Sequence, residues 1–281
     1  MYKEAMRCGF NVFDIFRVNK MKVDEFRAHP DHLRTFGTCI FCGSQGEGKT
    51  LSAVQYVLHL HKMYPKAIIV TNIDIKSLPF NTELRKVGDS YELYNFKLDC
   101  VVDTSWILNN YQFKGDDFES ICIEYTGLDM LKLVCNEEYG VIYLIDELHL
   151  ELNSLESKNV DIEVMVEISQ QRKQRKHIIG TSQIFMRLAK PLREQIHDII
   201  LCSCFFGCIQ YNKWVNGETV REENGKIIAD IKGKFLWTHR PEYYAEYDTY
   251  AKMRRYNQEW QGRKRDFNFY ERGAEYVRFA N

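Results

Sequence analysis

Eight residues, Gly43-Ser44-Gln45-Gly46-Glu47-Gly48-Lys49-Thr50, limit the folds open to this chain more than any other feature. They satisfy G-x-x-x-x-G-K-[ST] at every fixed position, and the flanks are those the pattern needs. Thr38 to Cys42 is a short apolar run of strand type. LSAVQYVLHLHKMY, after the loop, places Leu51, Val54, Val57 and Leu58 at helical spacing. Strand, glycine-rich loop and helix in that order cradle phosphate. Gly43, Gly46 and Gly48 let the backbone N–H groups curl inward, and the helix presents its positive end to the same point. Lys49 then reaches the β- and γ-phosphates of ATP, and the Thr50 hydroxyl ligates Mg2+.

A phosphate loop needs a carboxylate partner. VIYLIDE, residues 141–147, supplies five apolar residues ending in Asp146 and Glu147. We read it as a central strand next to the loop strand, with Asp146 in the Mg2+ shell and Glu147 polarising the attacking water. HIIGTSQ is the following apolar strand. Gln183 at its end is placed to sense the nucleotide or orient water. Arg172, at the end of the preceding amphipathic helix, is a candidate finger toward a neighbouring subunit's γ-phosphate, with Arg175 and Arg193 as rivals.

Between Gln171 and Arg193 the chain carries Arg172, Lys173, Arg175, Lys176, Arg187, Lys190 and Arg193 and no acid. That segment, and a basic C-terminal end, are read as candidate DNA contacts in a chain whose net charge is only -1. The nine cysteines lack paired zinc spacing and are read as small buried hydrophobes. The amino-terminal residues lack a secretory apolar core, and the most apolar stretch, residues 199–209, is too short to span a bilayer. A cytoplasmic location, with no transmembrane segment of its own, is the expectation.

Apolar strands alternating with helices predict an α/β fold with a mostly parallel sheet covered on both faces. Residues 1–35 are expected to form an N-terminal extension, 36–250 the ATPase domain, and 251–281 a basic, aromatic tail. TGLDMLKLVCNEE is expected to be helical until Gly140, and Asn216-Gly217 to mark a hairpin turn. Residues 74–120 mix helical and strand signals.

The order of GSQGEGKT, VIYLIDELH, Arg172, Gln183 and then PLREQ resembles the FtsK/HerA superfamily of DNA-pumping ATPases. Within it, the chain looks most like the zonula occludens toxin-like assembly ATPases of filamentous phage, and more broadly like viral genome-packaging ATPases. The resemblance spans roughly residues 36–250. It implies a RecA-like P-loop core, a homo-oligomeric ring of the hexameric type, sequence-independent threading of DNA, and a capsid or membrane partner protein. The assembly ATPases carry a membrane span after this domain, which this chain departs from, and that shifts the expectation toward packaging. A small-molecule P-loop kinase, with the basic segment as its lid, is the competing reading. A GTPase would need an N/T-K-x-D motif, which is missing after the acidic strand.

Overall fold

A computed structural model describes residues 12–34, 37–88, 90–103, 107, 120–152, 162–223 and 226–247. Its centre is β1 (Thr38–Cys42), the strand that enters the phosphate loop, and α2 (Lys49–Met63), the helix that leaves it; α1 (Val12–Ala28) precedes both. All five residues of β1 are buried, as are all of β7 (Val141–Ile145) and β8 (Lys176–Ser182). Strands covered on both faces are uniformly apolar rather than alternating, which is why they read as unbroken hydrophobic runs.

The remaining strands are β2 (Ile68–Thr71), β3 (Thr82–Val87), β4 (Ser90–Asn95), β5 (Cys100–Val101), β6 (Cys122–Glu124), β9 (Ile196–Phe205), β10 (Ile209–Asn216), β11 (Arg221–Glu223), β12 (Lys226–Ile228) and β13 (Ile231–Thr238). Eleven strands form one sheet in the order β13-β10-β9-β1-β8-β7-β2-β6-β3-β4-β5, and β11 pairs with β12 separately. From β9 to β3 every pairing is parallel. Antiparallel strands extend both ends, β10 and β13 at one and β4 and β5 at the other. The acidic strand β7 does not lie next to the loop strand, as the sequence suggested. β8 stands between them, pairing with β1 on one side and β7 on the other.

Side-chain alternation divides the core into two halves. Cys39, Phe41, Ile142 and Leu144 face the side where Ala53, Val54 and Val57 of α2 pack. Ile40, Cys42, Val141, Tyr143 and Ile145 face the other side. There they meet α3 (Met130–Leu133), α4 (Ile162–Gln170) and α5 (Lys190–Arg193) through Met130, Leu131, Val164, Ile168 and Leu192.

Several sequence expectations change. The helix expected up to Gly140 stops after α3, where Val134 turns extended and the buried Tyr143 hydroxyl lies 3.1 and 3.0 Å from the carbonyls of Met130 and Val134. The hairpin joining β9 to β10 turns at Phe206-Gly207, both with positive φ, rather than at Asn216-Gly217. Asn216 instead caps a short 3-10 turn by accepting the Glu218 N–H. The basic end expected of α4 lies beyond the helix, in the turn 171–175. Cys39, Cys42, Cys122 and Cys202 are buried as expected, but Cys135 and Cys208 are exposed. Among the described residues no cluster of three or more His, Cys, Asp or Glu could hold a metal, and no helix is long and apolar enough to cross a membrane. The basic tail lies outside the described residues.

Candidate active site

The phosphate loop sits at the carboxyl ends of the parallel strands, where β1 gives way to α2. Gly48 caps α2 with φ of 72°, a left-handed conformation that costs glycine little. A side chain there would also be blocked, since a Cβ would collide with the Gln210 Oε1. Gly43 is tight for another reason, with the Cys202 carbonyl 2.7 Å from where its Cβ would be. Ser44, Gln45 and Gly46 form the exposed rim, while Glu47 and Gly48 are half-buried. The Lys49 side chain is buried and its ammonium donates to the Ser44 carbonyl at 2.9 Å, so it lies across the loop it serves.

The outer wall of the loop comes from β9 and β10. The Glu47 carboxylate accepts the Cys204 N–H at 2.5 Å. The fully buried Gln210 donates its amide to the Glu47 carbonyl at 3.0 Å and to the Asn212 Oδ1 at 2.7 Å. Its Oε1 lies 3.0 Å from the His239 Nε2. Asn212 in turn donates to the Ser52 hydroxyl, one turn into α2, at 3.1 Å. Nothing in the local sequence marks Gln210 or Asn212, because the contacts span about 160 residues.

The inner wall comes from β7, β8 and β2. The Thr50 hydroxyl donates to the Asp146 Oδ1 at 2.9 Å, so the two expected Mg2+ ligands are already together. Hydroxyl and carboxylate oxygens are the hard donors that Mg2+ takes beside phosphate and water, so this pair fits the ion. Thr181 joins them without any motif to mark it. Its hydroxyl donates to the same Asp146 Oδ1 at 2.7 Å and accepts the Glu147 N–H at 2.8 Å. Asn72 at the end of β2 holds the Asp146 backbone from the other side, donating to its carbonyl at 3.1 Å and accepting its N–H at 2.8 Å. Sheet order explains both, for β8 and β2 are the two neighbours of β7.

Glu147 follows with φ of 56°, a left-handed conformation rare outside glycine, asparagine and aspartate. Such a conformation persists only where the surroundings impose it, and here the Thr181 contact and the 3.3 Å approach of the buried His149 Nε2 to its carboxylate do so. Gln183 stands in the bend just after β8, half-exposed, on the same sheet edge as the phosphate loop.

The candidate arginines are elsewhere. Arg172 is exposed in the turn that enters β8, at the opposite end of that strand from Gln183. Seven residues of strand separate the ends by about 20 Å. Arg175 occupies the same turn, its carbonyl accepting the Val141 N–H. Arg193, on α5, places its guanidinium against the Met186 sulfur. No member of the trio lies with its own chain's phosphate loop. Lys176, another base of the 171–193 segment, is buried and donates to the Leu131 carbonyl and to Glu167, so it is lost to any surface role.

No family model matches the chain, and no curated protein matches its sequence. Among solved structures, it is similar to the N-terminal domain of zonular occludens toxin from Neisseria meningitidis, at 16% identity and a TM-score of 0.45, over 75% of this chain and 98% of that one. It is also similar to the genome packaging NTPase B204 from Sulfolobus turreted icosahedral virus 2. In complex with sulfate that protein aligns at 12% identity and a TM-score of 0.42, over 76% and 98%. In complex with ATP-gammaS it aligns at 13% identity and a TM-score of 0.36, over 59% and 73%. The strand between β1 and β7, the parallel block around it and the loop at its carboxyl edge give this chain an α/β fold of RecA-like P-loop type.

Proposed function

We propose that this chain is an ATPase that works as a ring and moves DNA, in genome packaging or export. The observation that carries the hydrolytic half is the joint placement of Thr50, Asp146, Thr181 and Glu147 beside the phosphate loop. ATP binds with its phosphates on the loop N–H groups and the α2 amino terminus, and Lys49 turns from the Ser44 carbonyl to the phosphate oxygens. Thr50 and Asp146 would hold Mg2+, which supplies charge neutralisation at the β- and γ-phosphates when bound. Glu147 takes a proton from the attacking water as it closes on the γ-phosphorus, and the bond to the bridging oxygen of ADP breaks. Gln183 orients that water. Arg172 from the adjacent subunit steadies the charge on the transferred group.

The DNA half is supported by basic residues on one segment: Arg172, Lys173, Arg187 and Lys190 are exposed there. Contacts of this kind go to backbone phosphates, so they ignore sequence and weaken with salt. ATP turnover by the purified chain should rise on adding single- or double-stranded DNA, and the rise should fade between about 50 and 200 mM salt. A monomer whose turnover ignores DNA at low salt but responds to a small phosphate acceptor would replace this reading with that of a kinase.

A further inference from the structure

The strand β9 runs beside β1 and outlasts it. Cys42, the last residue of β1, pairs with Leu201, and β9 continues four residues further to Phe205, about 13 Å. The β9–β10 hairpin therefore overhangs the phosphate loop, to which Cys204 and Gln210 tie it. Its tip is a tight turn closed by the Cys208 N–H on the Phe205 carbonyl at 3.2 Å. The two central residues, Phe206 and Gly207, have φ of 53° and 68°. Turns of this handedness favour Asn-Gly, Asp-Gly or Gly-Gly. A phenylalanine in the first place is an outlier that costs stability. Its ring is 93% exposed, so no packing offsets that cost.

A second aromatic ring is anchored to the same turn. Tyr244 belongs to α6 (Pro241–Ala245), and its hydroxyl lies 3.2 Å from the Gly207 carbonyl and 2.5 Å from the His239 Nδ1. Both amide hydrogens of Gln210 go elsewhere, to the Glu47 carbonyl and to Asn212, so its Oε1 accepts from the His239 Nε2. A chain of side chains thus runs from Tyr244 to the phosphate loop. The far end of α6 is fixed as well. The Glu246 carbonyl accepts the Lys76 N–H at 2.6 Å, and its carboxylate accepts the Ser77 N–H at 3.2 Å. Tyr244 is therefore held at its hydroxyl and along its backbone, yet the residue is 52% exposed.

We infer that Phe206 and Tyr244 hold the base of the nucleoside triphosphate by stacking. In the ATPase reading, Thr50, Asp146 and Glu147 draw Mg2+ and the γ-phosphate to the inner wall of the site, at β7 and β8. The triphosphate follows the loop, and its nucleoside end leaves toward the outer wall, which is β9 and β10. The two exposed rings stand on that wall. A base is a flat ring with two π-faces, and aromatic side chains are the surface that takes them. Fixed mounting favours binding, because a ring already held in place loses little freedom when the base arrives. The strained turn keeps its phenylalanine for the ligand rather than for the fold.

This inference rests on the ATPase reading, and the test separates the two. Calorimetry on the full chain compares two ligands with Mg2+ present: AMPPNP, and inorganic tripolyphosphate, which lacks the base and reports the phosphate loop alone. Phe206→Asn and Tyr244→Leu should each weaken AMPPNP at least about fivefold, the lower end for one stacked base. Tripolyphosphate affinity should stay as in wild type. Asparagine suits the turn, so Phe206→Asn should melt at the wild-type temperature or above. A lower melting temperature would assign the ring to the fold. Equal weakening of both ligands, or unchanged AMPPNP affinity, overturns the inference and leaves the ATPase reading standing. So does a Phe206→Asn chain that keeps AMPPNP but loses oligonucleotide binding or self-association, which would give the tip to DNA or to another copy. A wild-type chain that binds neither ligand overturns both.

Discussion

Thr181 serves two groups with one hydroxyl. It donates to the carboxylate of Asp146 and accepts the N–H of Glu147, so the acid proposed to hold the metal and the acid proposed to activate water are set by a single atom. Thr181→Val keeps the shape of a fully buried side chain and removes that atom. Hydrogen bonds to a charged group are worth about 1.5–3 kcal/mol, so turnover with Mg2+ and ATP should fall roughly ten- to a hundredfold. Glu147→Gln, measured beside it, should retain ATP while losing turnover, because only proton acceptance is removed. A Thr181→Val protein with wild-type kcat at low Mg2+ would show that the hydroxyl is dispensable. The phosphate loop and the Asp146-Glu147 pair were legible because each is one short run of sequence. Thr181, Asn72 and Gln210 were not, because their roles follow from which strands lie side by side.

At the scale of elements, β8 is tied to its surroundings by a buried polar chain. The His177 Nδ1 lies 2.7 Å from the Gly37 carbonyl, which can only accept, so this nitrogen carries the proton. Its Nε2 is then the acceptor for the Tyr56 hydroxyl of α2 at 3.1 Å. Burial pushes the imidazole down from 6.5 to about 4. Between those values the unfolded chain binds a proton that the folded chain refuses, so stability declines as pH falls from about 6.5 toward 4. On going from pH 7 to pH 4.5 the folded protein should lose about 2 kcal/mol through this one group. His177→Gln should remove that part of the decline, as read by urea unfolding at the two pH values. An equal pH response in both proteins would exclude His177 as its source.

The same scale shows which elements the sequence could disclose. β1, β2, β7 and β8 are buried on both faces and announce themselves as apolar runs. β3 and β4 lie near the sheet's far edge with mostly exposed or half-buried side chains, so residues 74–120 offered no clear period. The short α3 was overestimated because its termination depends on the hydroxyl of Tyr143, a strand residue outside the helix.

For the whole molecule, the separation of Arg172 from its own loop has a measurable outcome. Lys49→Ala subunits retain the arginine, and Arg172→Ala subunits retain the loop. Mixed in equal amounts, about a quarter of head-to-tail interfaces would join an intact loop to an intact arginine. ATPase activity near a quarter of wild type is therefore expected from the mixture, against almost none from either variant alone. Mixed rings proven by mass that stay inactive would remove Arg172 from the role and point to Arg175 or Arg193.

The interposition of β8 also governs how this chain can change its length. Side chains on a strand alternate in direction, so losing or gaining one residue within 176–182 would turn the site-facing hydroxyl of Thr181 to the opposite face and bring a neighbour, Gly180 or Ser182, into its place. Arg172 and the β9 entrance would be carried along with it. Loops at the edges of the sheet can absorb insertions as slack, whereas this strand works as a gauge block between the phosphate-loop strand and the acidic strand, and its length sets how the two face each other.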